Sequence, residues 1–157
     1  MIQFTRGRYL LGCVTRRRDG HRHGSTGEAR TIRVSEGASA APRATMEVPM
    51  TEFAYPVPER WMAGSHMLRV ENRGRQDHQL RLVRLRAGST VTTWMNADRP
   101  NQHAVPVAGV ARMGPGVVAY LPVHLIPGGY ILFCLVADPA TGRPHVEMGM
   151  LRSIEIE

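Results

Sequence analysis

The sequence predicts an all-β chain: a β-sandwich from Met46 onward with one short helix, preceded by an extended basic N-terminal arm. Three observations predict it. Between residues 46 and 157, short alternations of apolar and polar residues are separated by turns containing Gly and Pro, the pattern of paired, half-buried strands. Only "STVTTWMNA" reads as a helix, and it is short. From Thr15 to Thr45 the chain is Arg, Gly, Ser, Thr and Ala with almost no large apolar side chain, so this stretch cannot bury enough surface to offset its own ordering entropy.

The elements follow in order. "MEVPMTEFAYPVP" alternates loosely, and Pro49 and Pro56 confine it to a sheet edge because proline donates nothing to a ladder. "HMLRVEN" alternates more cleanly, and Arg73–Gly74 is expected to turn it into "HQLRLVRLR", where Leu80, Leu82 and Leu85 sit among arginines. In "STVTTWMNA", Ser89 is the expected helix cap. "GVVAYLPVHL", the turn "IPGG" and "YILFCLV" predict a hairpin of two strands. "MLRSIEIE" closes the chain as a strand able to turn Leu151, Ile154 and Ile156 inward. Many short strands with such turns argue for a sandwich.

A length of 157 residues supports one domain and an appendage. The longest apolar run, Val117 to Val136, is broken by Pro122, His124, Pro127, Gly128 and Gly129, so no transmembrane segment is expected. All 20 basic residues are arginine and the formal charge is +7. Nine of those arginines face only Asp19, Glu28 and Glu36 within residues 1–45, which leaves residues 46–157 near neutrality. The basicity thus belongs to an arm, residues 1–45, ordered only on a partner whose acidic or polar surface Arg forks can grip. "RRRDGHRH" could hold phosphates, but it lacks interleaved aromatics for base stacking, which argues against sequence-specific nucleic-acid binding. The "LLGC" ending at Cys13 resembles a lipoprotein lipobox. The apolar stretch before it is shorter than a signal h-region, and Arg6 and Arg8 interrupt it.

Chemistry concentrates in "CLVADPATGRPHVEMGM", residues 134–150, which brings a thiol, an imidazole and two thioethers together. Either this loop holds a soft metal, or its sulfurs simply pack as core. Cys13 and Cys134 allow one disulfide and no framework. Zinc fits less well, with only His78, Cys134 and His145 as good ligands. A cysteine nucleophile with His145 as base lacks an oxyanion hole and an orienting Asn, so the chain does not read as an enzyme. His66, His103 and His124 have no partners at ligand spacing and are expected to face solvent.

Three pieces together are similar to the cupredoxins, the Greek-key β-sandwiches of small blue-copper proteins, from about Phe53 to Glu157. "VENRGRQDH" gives V-x-N-x-G followed by a His, here Asn72, Gly74 and His78; "PGGYILFC" runs into Cys134; "HVEMGM" sets His145 and Met150 ahead of the last strand. The resemblance implies a Greek-key fold and copper held by His78, Cys134, His145 and Met150, with electrons leaving through the His145 edge. A thiolate and two imidazoles with a weak thioether suit both Cu(I) and Cu(II) acceptably, and Phe53, Phe133 or Met148 would cover the site. One departure is the ten residues "LVADPATGRP" between Cys134 and His145, where the simplest members have only a few.

Two functions follow. One is a cupredoxin-like accessory subunit, copper optional, extrinsic to the extracytoplasmic (periplasmic) face of a bacterial membrane. Its arm would dock it onto a larger respiratory or photosynthetic electron-transfer complex, stabilising the assembly. The alternative is a type-1 copper electron-transfer protein. The length of the basic arm inclines the sequence reading toward the subunit.

Overall fold

A computed structural model describes residues 6–13, 15–16, 18–35 and 40–157; the remaining parts of the predicted arm lie outside the described residues. The chain divides into two compact units, Ile2–Ala41 and Pro42–Glu157.

In the first unit, β1 (Gly7–Gly12) pairs antiparallel with β2 (Ala29–Val34). The sequence reading draws extended chain here. Tyr9 pairs with Ile32 and Gly7 with Val34 on one face, where they are half buried, while Leu10 and Leu11 stay exposed.

The second unit is a sandwich of two sheets. β3 (Met46–Met50), β5 (Gly64–Asn72) and β8 (Val118–Leu125) form one, in the order β3-β5-β8. The other has five strands: β4 (Arg60–Trp61), β6 (His78–Leu85), β7 (Ala104–Met113), β9 (Gly128–Phe133) and β10 (Leu151–Ile156), ordered β4-β10-β9-β6-β7. Three of the four edge strands carry a proline, Pro49 in β3, Pro122 in β8 and Pro106 in β7, where an absent N–H interrupts no inner ladder and discourages edge-to-edge pairing.

Two expected hairpins are instead crossovers between sheets. β5 pairs with β3 and β8, whereas β6 pairs with β7 and β9; Arg73–Gly74 therefore lies in a link between layers. β8 and β9 likewise lie in different sheets. That corner is pinned by Tyr130, whose buried phenol donates to the Ile126 carbonyl at 2.9 Å and accepts the Ile126 N–H at 3.2 Å. Periodicity reports that strands exist, but not which neighbour each one takes.

The main core lies between the sheets: Val48, Leu68 and Val70 face Leu80, Leu82, Leu132, Ile154 and Ile156. A second cluster of Val83, Trp94, Ala104, Ile131 and Phe133 covers the outer face of the five-stranded sheet. Trp94 comes from the one helix, α1 (Val91–Met95), and packs on Phe133 with ring centroids 4.7 Å apart. This explains why β9 is apolar without alternation: both of its faces are covered. It also separates Leu151, which packs with the outer cluster, from Ile154 and Ile156, which enter the main core. The α1 cap is Thr90, not Ser89. Thr90 accepts the Thr93 N–H while Thr93 accepts the Thr90 N–H, a capping box built from two threonines.

Candidate metal centre

The site is assembled at one end of the sandwich by the β5–β6 link and the loop after β9. Asn72 ends β5 fully buried. Its side-chain amide donates to the Gln76 and Met113 carbonyls, each at 2.8 Å, and its carbonyl oxygen accepts the Gly74 N–H at 2.9 Å. With every polar atom of the side chain bonded, the link is held in one path and delivers His78 as the first residue of β6. Gly74 is required by close approach: a Cβ there would lie 2.6 Å from His78 Nε2 and 2.8 Å from Glu52 Oε1.

Cys134 follows β9 directly. The ten-residue loop beyond it does not wander, because Asp138 organises it. The Asp138 carboxylate accepts from the Ala140 and Thr141 N–H groups and the Thr141 hydroxyl, and Ala137 bridges Pro144. The chain then returns so that His145 N–H donates to the Val136 carbonyl at 2.9 Å and Val146 N–H to the Cys134 carbonyl at 2.8 Å. The extra length forms a small closed turn, and His145 still arrives beside the thiol.

His78, Cys134 and His145 are all fully buried, and one ligand atom from each lies within 4.8 Å of the others. The two imidazoles face each other through Nδ1 at 3.1 Å, and Cys134 Sγ is 3.6 Å from His145 Nδ1. Met150, the fourth expected residue, is also fully buried; its N–H donates to the His145 carbonyl and its carbonyl accepts the Cys134 N–H. Of the expected cover, Phe53 sets its ring edge against His145 with centroids 5.2 Å apart. Phe133 instead belongs to the outer cluster, because it is one residue out of phase with Cys134. The Met148 sulfur accepts the Thr141 hydroxyl at 3.8 Å.

Sequence reasoning missed Gln76. Its side-chain carbonyl faces His145 Nε2 at 3.1 Å, while its amide nitrogen donates to Asp138 Oδ2 at 2.9 Å. An ionised carboxylate only accepts, so the Gln76 NH2 must point at Asp138 and its oxygen at the imidazole. His145 Nε2 therefore carries the proton, and the Nδ1 lone pair is aimed into the site. This is the ligand-orienting role that a carboxylate chain plays behind a metal-bound histidine. The only sequence signal for it was the proximity of Gln76 to His78. His145 is fully buried, in contact with Gln76 and with the ring edge of Phe53.

Burial holds both histidines below the ordinary imidazole range. The two rings also repel each other's charge at His78, against the opposing pull of Glu52 and Asp77; at His145, Asp138 and Glu52 oppose. Both are thus neutral near pH 7, as ligands must be. Burial raises the Cys134 thiol, while the Val136 and Gln79 N–H groups directed at the sulfur favour the thiolate. Among the described residues, His66, His103 and His124 stay out of this cluster and bond Met62, Ser89 and Ser65 respectively.

The donor set fits copper: one sulfur and two Nδ1 atoms converge among fully buried side chains. No protein-family model matches the chain, and no curated protein matches it. Among solved structures it is similar to the dithionite-reduced auracyanin of the photosynthetic bacterium Roseiflexus castenholzii, at 19% identity and a TM-score of 0.51, covering 74% of this chain and 99% of that one. Auracyanin A of Chloroflexus aurantiacus, described as a "blue" copper protein, aligns at 14% identity and TM-score 0.42, covering 71% and 99%. A mutant of amicyanin in its reduced Cu(I) form aligns at 19% and 0.43, covering 75% and 86%. Fold and site together define a cupredoxin-like sandwich with a His–Cys–His cluster able to hold a metal.

Proposed function

We propose that the chain is a type-1 copper electron-transfer protein, with His78, Cys134 and His145 as the strong ligands and Met150 as the weak axial donor. The convergence of two Nδ1 atoms and one Sγ on a single buried point carries this reading. Bound copper would supply a one-electron Cu(I)/Cu(II) couple. The chain's own part is to present neutral imidazoles, to direct the Gln79 and Val136 N–H groups at the sulfur and to exclude water with Phe53 and Gln76. Electrons would pass through the Gln76 and Phe53 cover rather than a bare imidazole edge. No substrate is turned over in this role. Titrating the metal-free protein with Cu(II) should produce an intense visible thiolate-to-copper band that Cys134→Ser abolishes. A colourless titration would rule the carrier out.

A second reading is favoured by one observation, the concentration of arginine in a separate unit. An accessory subunit extrinsic to the extracytoplasmic face of a membrane electron-transfer complex would use that unit to dock. Among the described residues, no helix is long and apolar enough to cross a membrane. Removing residues 1–41 should release such a subunit from its complex, and added salt should weaken the contact; retention after truncation would move the contact to the sandwich.

A further inference from the structure

The first unit contains a second cluster of ligating side chains. Cys13, His23 and Glu28 each place one ligand atom within 4.8 Å of the other two. His23 Nδ1 lies 3.0 Å from Glu28 Oε1. Cys13 and His23 are half buried and Glu28 is exposed, beside a shallow concavity lined by Gly12, Cys13, Gly27, Glu28 and Arg30.

The backbone holds these three residues against one another. Cys13 N–H donates to the Glu28 carbonyl at 3.0 Å, Gly24 N–H to the Cys13 carbonyl at 2.8 Å, and Glu28 N–H to the His23 carbonyl at 3.1 Å. Gly24 is needed for this crossing, since a Cβ there would sit 2.9 Å from the Cys13 oxygen. The ligand atoms therefore converge because the backbone is cross-linked at Cys13, His23, Gly24 and Glu28.

An independent observation concerns what else could hold the unit together. None of its described residues is buried, and Leu10 and Leu11 are 74% and 65% exposed. Chains of about 40 residues without a core ordinarily need a disulfide, a metal or oligomerisation. Cys13 is its only cysteine and is free, so no internal disulfide can serve.

We infer that Cys13, His23 and Glu28 bind a zinc ion that orders the N-terminal unit. Thiolate, imidazole and carboxylate are the three ligand types zinc accepts, and the fourth tetrahedral position would be open to water or to a group from a partner. The carboxylate makes the set harder than Cu(I) prefers. Charge also favours a divalent ion: one thiolate and one carboxylate neutralise it, so an arginine-rich unit gains no further positive charge. This site is independent of the copper reading, because it shares no residue with it.

The test uses the full chain carrying Cys134→Ser, so that Cys13 is the only thiol, with Co(II) as a spectroscopic probe and Zn(II) as competitor. A near-ultraviolet thiolate-to-cobalt band that zinc removes is expected, lost on adding Cys13→Ser. Affinity should fall at least tenfold with His23→Ala or Glu28→Gln, while the sandwich keeps its melting transition. Zinc should also slow tryptic cleavage after Arg16, Arg22 and Arg30 at least tenfold, but not in the Cys13→Ser form. Absence of the band in the Cys134→Ser chain would overturn the site, as would zinc affinity unchanged by Cys13→Ser or digestion indifferent to zinc.

Discussion

His78 and His145 turn their Nδ1 atoms toward each other at 3.1 Å, across a space closed by Cys134. Because Gln76 fixes the His145 proton on Nε2, His145 Nδ1 is an acceptor, so in the metal-free protein His78 Nδ1 must be the donor. That leaves His78 Nε2 as a bare lone pair, in agreement with its lack of any partner. Were His78 to hold a metal through Nδ1, its proton would sit on Nε2, a buried position without a hydrogen-bond partner. Gln76 thus sets the His145 tautomer directly and, through the Nδ1–Nδ1 contact, that of His78.

Replacing Gln76 by Leu keeps the volume but removes the partner of His145 Nε2 and one partner of Asp138. Loss of such ligand-orienting contacts typically lowers metal affinity about 10- to 100-fold. Competition with a chelator of known Cu(II) affinity measures it, and unchanged affinity would show that Gln76 only fills space.

The gathering of His78, Cys134 and His145 was legible from residue type and order, because Cys134 and His145 sit on one continuous stretch after β9. The strands themselves were visible from alternation in β5, β6 and β10. What was not legible depends on distant partners. The link at Arg73–Gly74 and the turn before Tyr130 look like hairpin turns locally, yet both change sheets, since the choice of neighbour is made by core packing and not by the turn. Phe133 read as cover for the metal because it adjoins Cys134, but strand alternation sends it to the opposite face, against Trp94. The β1–β2 pair was hidden because its composition alone cannot stabilise it.

Gly74→Ala should act through sterics. The added methyl would meet both His78 Nε2 and Glu52 Oε1 well inside contact distance; Glu52 is exposed and can swing away, whereas His78 is buried. Overpacking of this kind costs about 1–3 kcal/mol, and displacement of the ring should also weaken Cu(II) binding. Denaturant unfolding of the metal-free protein gives the first quantity, and an unaltered midpoint would mean that the ring is free to move.

Asn72→Ala removes three hydrogen bonds from a fully buried side chain and leaves the Met113 and Gln76 carbonyls and the Gly74 N–H without that partner. At about 1–3 kcal/mol for each buried group left unsatisfied, a loss of at least about 2 kcal/mol is expected even with partial hydration. Because the link positions His78, copper affinity should fall with stability. A variant that melts earlier but binds copper as tightly would separate the two roles.

The histidine pair should make the metal-free protein sensitive to mild acid. Both imidazoles are depressed below their ordinary value of 6.5, chiefly by burial. Below about pH 6.5 the unfolded chain therefore binds protons that the folded chain refuses, so stability must fall as pH falls, and it is retained above that value. The slope approaches about 1.4 kcal/mol per pH unit for each histidine while the folded ring stays neutral. The window lies above the range where carboxylates with an ordinary value near 4.5 begin to contribute. Urea unfolding between about pH 7.5 and pH 5.5 measures the slope directly, and replacing both rings by Gln should flatten it. A wild-type profile already flat over that range would mean that the folded site accepts a proton, and that His78 and His145 are not held as neutral ligands.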